Sequence, residues 1–93
     1  LPEPHIGGES VENRLKRLRM RSIRRGIREM DMILGRFSEI ALSDLSDDEL
    51  RLYDDLLSEN DHDLYQWVTG QAAAPDRFTA LIDRIARIAT PAG

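Results

Sequence analysis

Ile27-Arg28-Glu29-Met30-Asp31-Met32-Ile33-Leu34-Gly35-Arg36-Phe37-Ser38-Glu39-Ile40-Ala41 carries apolar side chains at 27, 30, 34, 37 and 41. Steps of three and four follow the 3.6-residue turn of an α-helix, so the spacing predicts a helix with one apolar face, the central one of the core. Ile33 and Ile40 are expected to widen that face. Gly35 inside it costs roughly 1 kcal/mol relative to alanine. It reads either as a close helix crossing or as a tolerated imperfection.

Upstream, Ser10 is an N-cap candidate, and Val11, Leu15, Leu18 and Ser22 form one helical stripe expected to be buried. Arg14, Arg17, Arg21 and Arg24 form a basic stripe beside it. Gly26 reads as a stop for this helix in a left-handed conformation. It then falls at the N-cap of the central helix with Glu29 at N3; on an unbroken helix, Arg25 and Glu29 pair instead, four residues apart.

Downstream, Ser46 and Glu49 have the spacing of a capping box, which predicts a third helix from Asp47 to about Ser58 with Leu50, Tyr53, Leu56 and Leu57 inward. Asp61 reads as the cap of a short fourth helix that buries Leu64, Trp67 and Val68 and stops at Gly70. Trp67 is expected to be the largest contributor to the core. Gln71 to Ala74 reads as a loop, and Pro75 suits the first turn of a last helix with Phe78, Leu81, Ile82, Ile85, Ile88 and Ala89 on its apolar face. Pro91 is expected to end it. No segment alternates with period two, so the fold class is all-α, a compact bundle of about five short helices. The expected division is a flexible leader over 1–9, a helical domain over 10–90 and a tail over 91–93.

Ninety-three residues, 41% of them apolar and only five per cent aromatic, suffice for one small core but not for a deep cofactor cavity. A surface function is favoured. The absence of cysteine excludes disulfides and thiolate chemistry. No apolar run approaches the roughly 20 residues of a membrane span, so direct membrane insertion is not expected. Leu1 to Glu9 shows neither a signal-peptide core nor an Arg-rich transit pattern. The net charge of −4 divides into +4 over residues 1–36 and −8 over 37–93. Such polarity presents a basic face to a partner.

His62 lies between Asp61 and Asp63, but adjacent residues rarely converge on one ion, and a solvated helix start accounts for the cluster; no metal site is expected. Asp54, Asp55 and Glu59 likewise lack a ligand loop. His5 and His62 are the only histidines, so no catalytic triad assembles, and an enzyme in its own right is not expected. The basic stripe Arg14, Arg17, Arg21 suits an acidic partner or, through counterion release, phosphates. Against nucleic acid stand the acidic chain and the lack of any zinc-finger, ribonucleoprotein or helix-turn-helix signature.

Arg25-Gly26-Ile27-Arg28-Glu29, with Asp31 behind it and Leu45-Ser46-Asp47-Asp48-Glu49 and Asp63-Leu64-Tyr65-Gln66-Trp67 downstream, resembles the SdhE family over about residues 11–88. These are succinate dehydrogenase assembly factors that carry an RGxxE motif. The resemblance implies a chaperone that binds the flavoprotein subunit of succinate dehydrogenase, and of fumarate reductase too, and promotes covalent FAD attachment. It places the contact on Arg25, Gly26 and Glu29, flanked by Arg24, Arg28 and Asp31, with Arg14, Arg17 and Arg21 as a secondary basic face. FAD is then the partner's cofactor, with none bound stably here. The implied compartment is the bacterial cytoplasm, or the mitochondrial matrix in a eukaryote. A bare backbone at 26 lets a second surface come close, while Arg25 and Glu29 offer a donor and an acceptor. The alternative is a general protein- or nucleic-acid-binding adaptor that uses the basic first helix.

Overall fold

Ser10 accepts the Asn13 N–H at 3.1 Å and thereby starts helix α1, Val11–Ser22, in a computed structural model that describes residues 9–89. The other helices are α2 (Arg28–Ile40), α3 (Asp47–Leu56), α4 (Asp61–Val68) and α5 (Thr79–Ala89), with 3₁₀ turns at Leu42–Asp44 and Asp76–Phe78. Among the described residues there is no strand. The expected leader 1–9, apart from Glu9, and the stop at Pro91 lie outside the described residues.

Helix α2 packs against α1, α4 and α5 and forms the centre of the bundle. Met30, Leu34 and Phe37 are fully buried and Ala41 nearly so, as their spacing requires. Ile40 is half exposed: at 100° per residue it lies roughly 90° around the axis from that stripe. On α1, Leu18 and Ser22 are buried, whereas Val11, the first residue of the helix, is 70% exposed. The buried stripe is thus shorter than its sequence pattern.

The capping box is present, with Glu49 N–H donating to Ser46 Oγ at 3.1 Å and Ser46 N–H to Glu49 Oε1 at 2.8 Å. The cap of α4 is Asn60, whose Oδ1 accepts from His62 and Asp63; Asp61, expected there, is the first helical residue. Gly70 at φ 80° closes α4, and Gly70 and Gln71 return their N–H groups to Trp67 and Gln66 carbonyls. That is the left-handed glycine stop expected of the position. Pro75 precedes the 3₁₀ turn that leads into α5, not α5 itself.

Tyr53, Phe37 and Phe78 are the largest fully buried side chains. Trp67 is only half-buried, packed beside Phe78 with ring centroids 6.1 Å apart, so the core is centred on the other three aromatics. Gly35 does mark a close approach: a Cβ there would sit 3.0 Å from Ile23 Cγ2, where the chain leaving α1 lies across α2.

Candidate functional site

Helix α1 ends at Ser22 and α2 begins at Arg28, so Ile23 to Ile27 form the connection that holds the basic-glycine sequence. Helix α2 starts without a side-chain cap, from an extended Ile27, and Glu29 and Asp31 lie in its first turn. Negative charge there complements the helix dipole. Glu29 is therefore the second helical residue, not the third after a glycine cap. Gly26 is also not left-handed, since Gly70 is the only described glycine with positive φ. The connection is long enough to turn without that conformation.

Arg25 folds inward. Its Nε donates to Asp61 Oδ1 at 2.7 Å, Nη1 to the Leu57 carbonyl at 2.5 Å and Nη2 to the Glu59 carbonyl at 2.9 Å. The side chain is 10% exposed, and that of Asp61 is 15% exposed. Leu57 caps the C-terminus of α3, where carbonyls without helical partners favour a cation. The backbone of the connection is held as well. Arg25 N–H donates to Asp31 Oδ1 at 2.6 Å, and Gly26 N–H to Asp61 Oδ2 at 2.6 Å. One carboxylate of α4 thus takes both a guanidinium and the glycine amide, and fastens the α1–α2 connection to the α3–α4 connection.

Above this clamp, Arg24, Gly26, Arg28 and Glu29 are exposed. The side chains of Arg24, Arg28 and Glu29 make no ion pair among the described residues. Glu29 borders two shallow grooves, one toward Ile27 and His62, the other toward Met32, Ile33 and Ala89, with Tyr65 lining both. Met32 is 66% exposed. The surface therefore combines bare backbone, unpaired charge of both signs and apolar area. Such a mixture suits a protein partner.

The secondary basic face is occupied within the chain. Arg14 pairs with Asp47 at 2.5 Å, Arg17 with Glu9 at 2.8 Å and Asp54 at 3.1 Å, and Arg21 with Asp54 and Ser58. Pairing of 14 with 47 and of 21 with 54 means that α1 and α3 run parallel, bridged by long side chains. Hydrogen bonds from Arg17 and Arg14 hold the Glu9 and Asp47 carboxyls below the usual range, and the Arg17 guanidinium is raised in return by Glu9 and Asp54. The ladder continues through Arg25 and Asp61, because the chain turns after Ser22 and leaves Arg24 outside it. Asp61 is the site residue that sequence reasoning missed, having taken it for a helix cap. Its signal is the seven-residue series Asp47, Asp54, Asp61 opposite Arg14, Arg21 and Arg25.

His62 donates its backbone N–H to Asn60 Oδ1 at 2.8 Å, and among the described residues no three of His, Cys, Asp and Glu converge as metal ligands. Nor is any described helix long and apolar enough to cross a membrane.

Residues 16–89 match the family model described as flavinator of succinate dehydrogenase. Among curated proteins the chain is similar to the mitochondrial succinate dehydrogenase assembly factor 2-B of Drosophila mojavensis, with 35% identity over 95% of this chain and 58% of that protein. It is similar to the mitochondrial succinate dehydrogenase assembly factor 2 of Meyerozyma guilliermondii, 43% identical over 76% of this chain and 55% of the relative. Its counterpart in Debaryomyces hansenii is 47% identical over 67% of this chain and 44% of the relative. The chain spans about half the length of the curated relatives it matches. With a family match over residues 16–89 of an all-α chain, this protein belongs to the family of succinate dehydrogenase flavinators.

Proposed function

We propose that this chain is an assembly factor that docks on the flavoprotein subunit of succinate dehydrogenase and promotes covalent attachment of its FAD. The observation that supports this most is the clamped connection. Arg25 and Asp61 fix the backbone around Gly26, so that Gly26, Arg24, Arg28 and Glu29 face outward on an element that needs no ordering when a partner arrives. Pre-organised surfaces bind with a smaller entropy cost.

In this proposal the contact surface is Gly26, Glu29, Arg24, Arg28 and Asp31, and Arg25 supports it from beneath. The flavoprotein supplies both the flavin and the residue that becomes bonded to it. This chain holds the arrangement in which those two groups meet, and orientation lowers the barrier to their reaction. It is not an enzyme in its own right. FAD belongs to the partner, and no step is assigned to a flavin held by this chain. The flavoprotein of fumarate reductase is a second client of the same kind. The compartment follows the client: cytoplasm in a bacterium, mitochondrial matrix in a eukaryote. Because Arg14, Arg17 and Arg21 already hold carboxylates, phosphates would have to displace internal partners, which disfavours the adaptor alternative.

The test is co-expression with a flavoprotein subunit that lacks its native factor, scored as flavin fluorescence of the denatured flavoprotein band. Wild type should restore the band. Gly26→Arg, with helicity intact, should abolish it, and a normal band with that variant would sink the proposal.

A further inference from the structure

Gly26 is exposed, yet a Cβ placed on it would lie 3.2 Å from Asp61 Oδ2, tighter than ordinary van der Waals contact, and apart from its two chain neighbours would meet no other atom of the described residues within 4 Å. The backbone at 26 is not in the left-handed region, so conformation alone does not demand glycine there. Within the molecule, the requirement for a bare backbone comes from one carboxylate. That carboxylate is not needed to start its own helix. Asn60 already caps α4 through the His62 and Asp63 N–H groups, and the Asp61 oxygens go to Arg25 Nε and Gly26 N–H.

Resting on the proposed function, we infer that Asp61 is the positioning residue of the docking surface. It sets the height and orientation of the Arg25–Gly26 backbone from which Arg24, Arg28 and Glu29 project. Glycine at 26 is needed to admit Asp61 before it is needed to admit a partner. A methyl group at 26 pushes the carboxylate back, lengthens the 2.6 Å bond and tilts the surface, although the added group itself is small.

The experiment is a double-mutant cycle between Gly26→Ala and Asp61→Ala. Its first readout is affinity for the purified apo flavoprotein subunit, taken well below the melting transition on chains of wild-type helicity, where a purely stabilising role leaves affinity unchanged. Each single variant should bind about tenfold more weakly, and the double variant no more than about twofold weaker than Asp61→Ala alone, because coupled sites are not additive. Asp61→Asn, which keeps one acceptor oxygen, should fall between wild type and Asp61→Ala, and serves as the background if Asp61→Ala does not fold. Full additivity, or wild-type affinity in both Asp61 variants, overturns the inference.

The second readout needs no flavoprotein. Gly26→Ala should lower the melting temperature of the isolated chain by roughly 4 °C in the wild-type background and not at all with Asp61→Ala. Equal shifts in both backgrounds overturn the inference. If the wild-type chain fails to bind the flavoprotein, the proposed function falls, and this thermal cycle still decides whether Asp61 imposes the glycine.

Discussion

Arg25 Nε lies 2.7 Å from Asp61 Oδ1, an ion pair that closes 36 residues of chain and is largely withdrawn from solvent on both sides. Removing one member of such a pair leaves the other charge poorly solvated, and here it also strips a donor from the Leu57 and Glu59 carbonyls. Arg25→Ala should therefore destabilise the domain by on the order of 3 kcal/mol in urea titration. Lysine keeps the charge but has no fork to reach three acceptors in fixed directions, so Arg25→Lys should recover less than half of the loss. A lysine variant with the wild-type midpoint would show that charge alone, not the fork, is what the site uses.

Glu29 has the opposite character. It is exposed and makes no ion pair among the described residues, and its only internal role is as an acid in the first turn of α2. Glu29→Gln should thus cost at most about 0.5 kcal/mol of stability through the helix dipole. Flavin attachment in the co-expression assay should nonetheless drop about tenfold, the effect of losing one charge-assisted hydrogen bond to a partner. Undiminished attachment would remove Glu29 from the contact surface.

Tyr53 gives the domain an alkaline limit. It is fully buried, and its hydroxyl lies 2.6 Å from Ser22 Oγ, whose own proton is committed to the Leu18 carbonyl at 2.7 Å, so Tyr53 donates. Burial pushes its pKa up from 10.0 to about 12. Between those values the unfolded chain releases the proton while the folded chain retains it, so the contribution of Tyr53 to stability is fully present below pH 10 and declines as pH rises toward 12. Tyr53→Phe should flatten this limb in melting temperatures recorded against pH. Its cost at neutral pH should be about 1 kcal/mol for the lost hydrogen bond.

The acid limb has different owners. The Glu49 carboxyl is held low chiefly by the Ser46 N–H, that of Asp47 by Arg14 and that of Glu9 by Arg17. Lowered folded-state values mean stability present above the ordinary carboxylate range and lost as pH falls through it. Glu49→Gln should make melting less steep in pH below about 4.5, and an unchanged acid limb would deny the capping box its role.

What sequence conveys about this molecule follows the range of each interaction. The capping box at Ser46 and the stripe Met30, Leu34, Phe37 are set by neighbours three and four residues away, so they can be read directly. Val11 and Trp67 are expected to be buried and are not fully so, since periodicity says which side a residue faces but not whether another element covers it. The connection around Gly26 was legible as a special place because glycine and charge are local facts. Asp61 was not, because its partners at 25 and 26 are more than thirty residues away and carry no local signature.

Gly35 tests the balance between helix propensity and packing. Alanine there favours the helix by roughly 1 kcal/mol, but its methyl group would lie 3.0 Å from Ile23 Cγ2, and overpacking opposes the gain. Ile23 is half exposed and sits at the C-terminal cap of α1, where it has room to move, so Gly35→Ala alone should be within about 0.5 kcal/mol of neutral. Shortening the neighbour removes the conflict. In an Ile23→Ala background, Gly35→Ala should raise stability by about 1 kcal/mol relative to that background, a gain seen as a higher urea midpoint at unchanged slope. If the two substitutions proved simply additive, the contact between Ile23 and α2 would not be what reserves position 35 for glycine.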